Sequence, residues 1–170
     1  MKLISETKAL AKLDHVTAKL RGEVAGYEER AKSCRTCETP GACCLDAHFV
    51  NVRISRLEAV KIRGVLARFD EVARGKVESR ITTAIEKYGL NDSENDREHN
   101  FACPLFEPGV GCLVHDTAKP VPCIVHACYD KPSHLPPDSL QTEAEAAIDR
   151  LNTMTYGSSQ PLLPLPVAVR

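Results

Sequence analysis

Apolar residues recur at helical spacing over residues 3–30 of the chain. The positions that lie near an a/d spacing are Leu3, Leu10, Leu13, Leu20, Val24 and Tyr27. Charged residues separate them, which is typical of an amphipathic helix that buries one face. We therefore predict a helix over residues 3–30 that packs across the rest of the domain. The pattern lasts too few heptads to indicate a coiled coil, and it leaves a homodimer through this helix open.

Two further helices are predicted in the middle of the chain. Ser55 and Glu58 form a capping-box pattern, in which each side chain can bond to the other residue's backbone N–H, so a helix begins here and runs to about Phe69. The next periodic segment ends at Gly89, a residue suited to a C-terminal cap. Its apolar positions are Val72, Val77, Ile81, Ala84, Ile85 and Tyr88. The apolar residues within 48–54 predict a short strand before these helices. The polar and charged residues 91–100 are predicted to form a solvated loop.

The last forty residues of the sequence divide into a connector, a helix and a tail. Prolines concentrate in residues 131–138, and residues 139–154 are then predicted to form a short helix. Residues 155–170 are rich in Gly, Ser and Pro and contain an apolar stretch over 162–169, which predicts an extended tail laid on the surface or docked to a protein partner. We thus predict a mainly α, small helical domain over residues 1–154 with little β structure, followed by a Pro-rich tail.

Eight cysteines lie in two groups within residues 34–128. They are Cys34, Cys37, Cys43 and Cys44, then Cys103, Cys112, Cys123 and Cys128. A C-x2-C pair with Gly or Pro nearby lets two thiolates converge on one ion or cluster, because the turn bends the backbone around it. We therefore predict that these eight cysteines are metal ligands, carried on loop-borne knuckles of a cysteine module over residues 34–128.

Two other interpretations of the cysteines are weaker. A disulfide framework needs an oxidising compartment, but residues 1–20 carry several charges and no apolar run long enough for a signal peptide. Buried thiols that only fill a core would not concentrate beside turn residues in this number. Reduced thiols that bind metal predict a cytoplasmic protein.

The spacing of the cysteines leaves the identity of the metal open. Thiolates bind both zinc and iron–sulfur clusters, and neither the usual zinc-ribbon repeat nor the bacterial ferredoxin run is present. His115 and His126 each follow a cysteine at C-x2-H spacing and could ligate or hydrogen-bond to thiolate sulfur. We favour an iron–sulfur cluster (4Fe–4S), because a surplus of unevenly spaced thiolates suits a cluster. Two zinc sites of four cysteines each explain the count equally well.

The cysteines and their neighbours also resemble a known family. The chain has a C-x2-C-x5-C-C group, then C-P-L at Cys103, G-C-x-x-H at Cys112 and a basic-Pro-x-x-C element ending at Cys123, with a final Cys128. This arrangement resembles the YkgJ-type cysteine-cluster family, described as a zinc- or iron-chelating domain and including flagellin lysine N-methylases. The resemblance implies a metal or iron–sulfur centre built from all eight cysteines.

The chain departs from the family pattern at two positions. An arginine tends to precede the proline in the family, and a basic residue tends to follow the next cysteine. Here these positions hold Lys119 and Ile124. Lys119 keeps the positive charge without the bidentate geometry of a guanidinium, and Ile124 removes a charge.

Composition restricts the range of functions further. The formal net charge is −1 and no basic patch with interleaved aromatics occurs, so we predict no nucleic-acid partner. No stretch approaches the roughly 20 apolar residues that span a bilayer, so we predict no membrane partner. No phosphate-binding loop, nucleophile elbow or paired catalytic carboxylates stand out. The sequence predicts a metal-binding protein, with a methyltransferase-like or redox enzyme and a zinc-stapled structural adaptor as alternatives.

Overall fold

The computed structural model describes residues 3–32, 39–45, 50–90 and 100–170. The predicted mainly α class with little β structure is confirmed. The helices are α1 (Glu6–Glu28), α2 (Arg56–Leu66), α3 (Glu71–Tyr88), α4 (Val121–Val125), α5 (Asp138–Tyr156) and α6 (Leu165–Val169). The strands have two residues each and are β1 (Ala31–Lys32), β2 (Arg53–Ile54), β3 (Phe106–Glu107), β4 (Gly111–Cys112), β5 (Cys128–Tyr129) and β6 (Leu163–Pro164). They form the antiparallel pairs β1–β5, β2–β6 and β3–β4.

Helix α1 packs its apolar face inside the chain, as predicted. It begins at Glu6 rather than at residue 3, because the Ser5 side chain accepts a hydrogen bond from the Lys8 backbone N–H and caps the first turn. Leu13, Leu20 and Val24 are fully buried, and the helix packs against α5, α4 and α2. A homodimer through α1 stays a prediction, and it would have to use the opposite, polar face.

Helices α2 and α3 follow the local signals in the sequence. The capping box of Ser55 and Glu58 is present in both directions, and Gly89 ends α3 in the left-handed conformation with φ of 63°. Helix α2 ends at Leu66 and not near Phe69, since Asp70 caps the next helix by accepting a hydrogen bond from the Ala73 N–H at 2.8 Å. The predicted strand before α2 is observed only at Arg53–Ile54, and residues 46–49 lie outside the described residues.

The core consists of two apolar clusters that meet at α2. Leu57 faces a cluster formed mainly with α1, α4 and α5, whereas Ile62 on the opposite side of α2 faces a cluster formed with α3, α6 and the segment around Phe101. Helix α6 packs against both α2 and α3. Because α2 contributes to both clusters, the position of its N-terminus affects the whole domain.

The C-terminal segment differs from the predicted surface tail. Helix α5 continues to Tyr156, and residues 163–169 then form β6 and α6, with Leu165 and Val169 buried in the core. The backbone N–H of Leu165 donates to the Val52 carbonyl at 2.8 Å, and Arg63 donates to the Ala168 carbonyl at 2.9 Å. The proline content had predicted an extended chain, but a proline in the first turn of a helix removes no hydrogen bond that the helix needs.

The N-terminus of α2 is held by a buried amide on α5, which leads to a first prediction. Asn152 accepts a hydrogen bond from the Leu57 N–H at 3.1 Å and donates to the Ile148 carbonyl at 2.9 Å. Asn152→Ala should lower the free energy of unfolding by about 1–3 kcal/mol, because it leaves the buried Leu57 N–H without a partner. Urea denaturation measures this loss. Gln141→Ala on the same helix removes only a hydrogen bond to Glu145 and should cost less than about 0.5 kcal/mol; equal losses would contradict the prediction.

Every helix among the described residues is too short or too polar to cross a lipid bilayer.

Candidate metal centre

The structure describes six of the eight predicted ligands. Cys34 and Cys37 belong to residues 33–38, which lie outside the described residues. No disulfide links any of the six described cysteines, and each of them is partly buried. They are Cys43, Cys44, Cys103, Cys112, Cys123 and Cys128.

Cys103, Cys112 and Cys123 lie on three different elements, near enough for their charges to affect one another's pKa values. Cys103 lies in the loop before β3, Cys112 in β4 and Cys123 in the middle of α4. Cys112 is held next to the Cys103 loop because β3 and β4 pair with Phe106 opposite Cys112. The thiols interact electrostatically, since Cys103 is affected by Cys112, and Cys123 by both of the others. We call this group the thiol trio.

Burial keeps the thiol trio in the protonated form at neutral pH. It raises the pKa of Cys103 to about 12, and it also raises the pKa values of Cys112 and Cys123. Lys119 opposes this effect, because its positive charge lowers the pKa values of Cys112 and Cys123. This is the positive charge that Lys119 keeps in place of the arginine typical of the family. Because metals bind thiolates, binding here has to release protons.

The first cysteine group joins the thiol trio through the backbone. The Cys103 N–H donates to the Cys44 carbonyl at 2.8 Å. Gly41, directly before the short 3-10 helix Ala42–Cys44, has φ of 77°, and a Cβ atom there would lie 1.8 Å from the Phe106 ring. Only glycine meets both conditions, so the P-G-A-C-C sequence lets this turn pack on β3.

His126 lies beside Cys43, in the first cysteine group. The thiols of Cys43 and Cys44 share a hydrogen bond that raises the pKa of Cys43, while a hydrogen bond with His126 lowers it and burial raises it, with a net value of about 12. His115 is exposed, and desolvation lowers its pKa. The C-x2-H spacing gives no sign of this contact, because His126 and Cys43 are 83 positions apart in the sequence.

Cys128 lies in β5, which pairs with β1. Its Cα pairs with that of Lys32 in β1, and Lys32 forms an ion pair with Asp130 at 2.8 Å. Lys32 is also the last described residue before the segment that contains Cys34 and Cys37. The β1–β5 pair thus joins the end of the chain segment Ala31–Lys32 to Cys128 of the second cysteine group.

The donor set suits a thiophilic metal, although no complete set of ligands is assembled among the described residues. Within that part of the chain, no three His, Cys, Asp or Glu side chains form a group that could hold a metal ion. Thiol sulfur is a soft ligand that selects zinc and iron–sulfur clusters, and Lys119, Arg80 and Arg21 each lower the pKa of a thiol in the trio. The chemistry of the residues therefore fits such a centre.

Two surface clefts lie away from the cysteines. One is lined by residues at the start of α3 together with Glu107, and the other lies between α1 and α5, with Leu20 and Ala144 in its lining and charged residues such as Lys19 and Glu143. No described cysteine lines either cleft.

Comparison with models of known protein families, with functionally characterised proteins and with solved structures found no match.

Proposed function

We propose that the protein binds a metal through its cysteines, with an iron–sulfur cluster (4Fe–4S) favoured over zinc. The observation that carries this proposal is the thiol trio, in which Cys103, Cys112 and Cys123 stand on three separate elements and affect one another's pKa values. A thiophilic metal gives these thiols a role, because it binds thiolates supplied by separate segments of the chain. The resemblance to the YkgJ-type cysteine clusters supports the same assignment.

The eight cysteines are the proposed ligand set, and they are more thiolates than one metal centre requires. Four thiolates complete a tetrahedral zinc site or hold one 4Fe–4S cluster. Cys34 and Cys37 would supply the C-x2-C pair that the described cysteines lack. A surplus of four thiolates is consistent with a second centre or with exchange of ligands around one cluster.

The residues of the chain prepare the thiols for binding in two ways. Burial disfavours the thiolates when no metal is present, because a negative charge is poorly solvated there. The cationic side chains of Lys119, Arg80 and Arg21 offset part of this cost once the thiols ionise. A cluster, when bound, supplies one-electron redox chemistry, whereas zinc supplies a structural crosslink. In both cases the binding energy adds to the stability of the fold.

The proposal is tested by the metal and sulfide content of protein purified without oxygen, together with its visible absorption spectrum. We expect iron with acid-labile sulfide in a ratio near one, and broad absorption that bleaches on exposure to air. Zinc without sulfide would overturn the preference for a cluster and keep the metal proposal. Protein without bound metal that also fails to take up zinc, or iron with sulfide, would overturn the function itself.

One observation favours zinc as the second candidate. His126 lies within hydrogen-bonding reach of Cys43, and mixed cysteine and histidine sites are typical of structural zinc. Under this alternative the protein is a zinc-stapled adaptor that recruits a partner. A further alternative is that the protein is a methyltransferase-like or redox enzyme, as the family resemblance implies. Binding of S-adenosylmethionine would favour a methyltransferase.

A further inference from the structure

Three charged side chains on three different helices reach the backbone of the segments that carry the thiol trio. Arg21 lies on α1, Glu58 on α2 and Arg80 on α3. Each forms a hydrogen bond to a backbone group within three residues of Cys112, Cys123 or Cys103, respectively. We call these side chains the anchoring residues.

Glu58 links the N-terminus of α2 to the N-terminus of α4. Its Oε2 atom accepts hydrogen bonds from the Ser55 backbone N–H at 2.9 Å and from the Ser55 hydroxyl at 2.8 Å. Its Oε1 atom accepts from the backbone N–H of Val121 at 3.0 Å, two residues before Cys123. The carboxylate is buried, and a backbone N–H in the first turn of α4 has no partner within its own helix. Glu58 therefore sets where the helix that carries Cys123 begins.

Arg80 holds the loop that follows Cys103. Its Nε atom donates to the carbonyl of Pro104 at 2.9 Å, and its guanidinium lies 3.5 Å from the carboxylate of Glu107 in β3. The planar guanidinium contacts both ends of the loop between Cys103 and β3, a geometry that a lysine ammonium cannot reproduce.

Arg21 holds the turn that follows Cys112. Its guanidinium donates a hydrogen bond to the backbone carbonyl of His115, 94 residues away in the sequence. The three anchors are independent of one another, since each begins on a different helix and ends on a different segment. Helices α1, α2 and α3 are thereby tied to the three places from which the thiols project.

We propose that Arg21, Glu58 and Arg80 are positioning residues that hold the segments carrying the thiol trio, so that the three thiols stay near one another for metal binding. The inference rests on the proposed function and adds residues that do not themselves ligate. Outer-shell partners that orient ligands typically contribute 10–100-fold to metal affinity. The reason is that a ligand held in place loses less conformational freedom when the metal binds.

The test uses Co²⁺ as the probe, because thiolate-to-cobalt absorption reports both affinity and ligand geometry. Arg80→Gln and Arg80→Lys are compared with the wild-type protein by competition against a chelator, under conditions where all are folded by circular dichroism. We expect about a 10-fold or greater loss of Co²⁺ affinity in both variants, with an altered absorption band. Arg74→Gln on the same helix, where Arg74 only forms an exposed ion pair with Glu78, should bind Co²⁺ as the wild type does.

The outcomes separate the inference from the proposed function. Wild-type Co²⁺ affinity in both Arg80 variants would overturn the positioning role, and so would full recovery by Arg80→Lys, since charge alone would then suffice. Cys123→Ser serves as the reference in the same assay. If Cys123→Ser and Cys37→Ser both bind Co²⁺ like the wild type, the proposed ligand set fails; if Cys123→Ser loses Co²⁺ while the Arg80 variants do not, only the positioning role fails.

Discussion

Replacing Leu165 by alanine is expected to lower the free energy of unfolding by about 2–5 kcal/mol. Leu165 is 1% exposed and lies in the core cluster shared by α2, α3 and α6. The substitution removes apolar contacts and leaves a cavity, and the backbone is held by the Leu165 N–H bond to Val52, so the site cannot collapse easily. Thermal unfolding should show a midpoint lowered by roughly 5–15 °C for a chain of this size.

A matched control lies three residues earlier in the same segment. Leu162 is 46% exposed, and Leu162→Ala should change the free energy of unfolding by less than about 0.5 kcal/mol. If Leu165→Ala has an equally small effect, the C-terminal segment is the loosely attached tail that its composition predicts, and α6 does not belong to the core.

Replacing Cys123 by serine is expected to reduce bound metal to below about a tenth of the wild-type content. A serine hydroxyl is a hard and weakly acidic ligand that thiophilic metals do not select. A metal that binds only the folded state, at a free concentration of 100 times its dissociation constant, raises the free energy of unfolding by about 2.7 kcal/mol. Loss of the metal should therefore destabilise the protein by about that amount. Metal analysis and urea denaturation of the purified variant measure the two effects. Cys37→Ser should behave similarly if the first group contributes ligands.

The control for this prediction is Val110→Ser. Val110 is 71% exposed in the turn between β3 and β4, two residues before Cys112. This substitution introduces a serine beside the proposed site without removing a thiol, so the metal content should stay at the wild-type level. Unchanged metal content in both Cys123→Ser and Cys37→Ser would refute the proposed ligand set.

Local structure was largely predictable because its causes lie within one helical turn. The capping box at Ser55 and Glu58 and the glycine cap at Gly89 occur where the sequence predicts them. The apolar positions of α1 also indicated the face that the fold buries. The end of α2 was misplaced by a few residues, since the Asp70 cap of the following helix determines where the chain turns.

The candidate site was predictable as a set of residues but only partly as an arrangement. The sequence indicates the cysteines and their loop positions, and six of them can be located in the structure. It gave no indication that His126 neighbours Cys43, nor that Arg21 and Arg80 reach the loops after Cys112 and Cys103. Glu58 was recognisable only as a helix cap, because its bond to Val121 spans 63 residues and leaves no local pattern.

The sequence by itself therefore determined the helical class and the helix caps, and it predicts soft-metal chemistry for the thiols, since these depend on residue type and on neighbours within a few positions. The tertiary structure decided that the proline-rich C-terminus completes the core. It also decided which three thiols influence one another's pKa values and which charged side chains hold their segments. These contacts form only when distant parts of the chain pack together, and shape complementarity between the packed elements, rather than spacing along the chain, selects the partners.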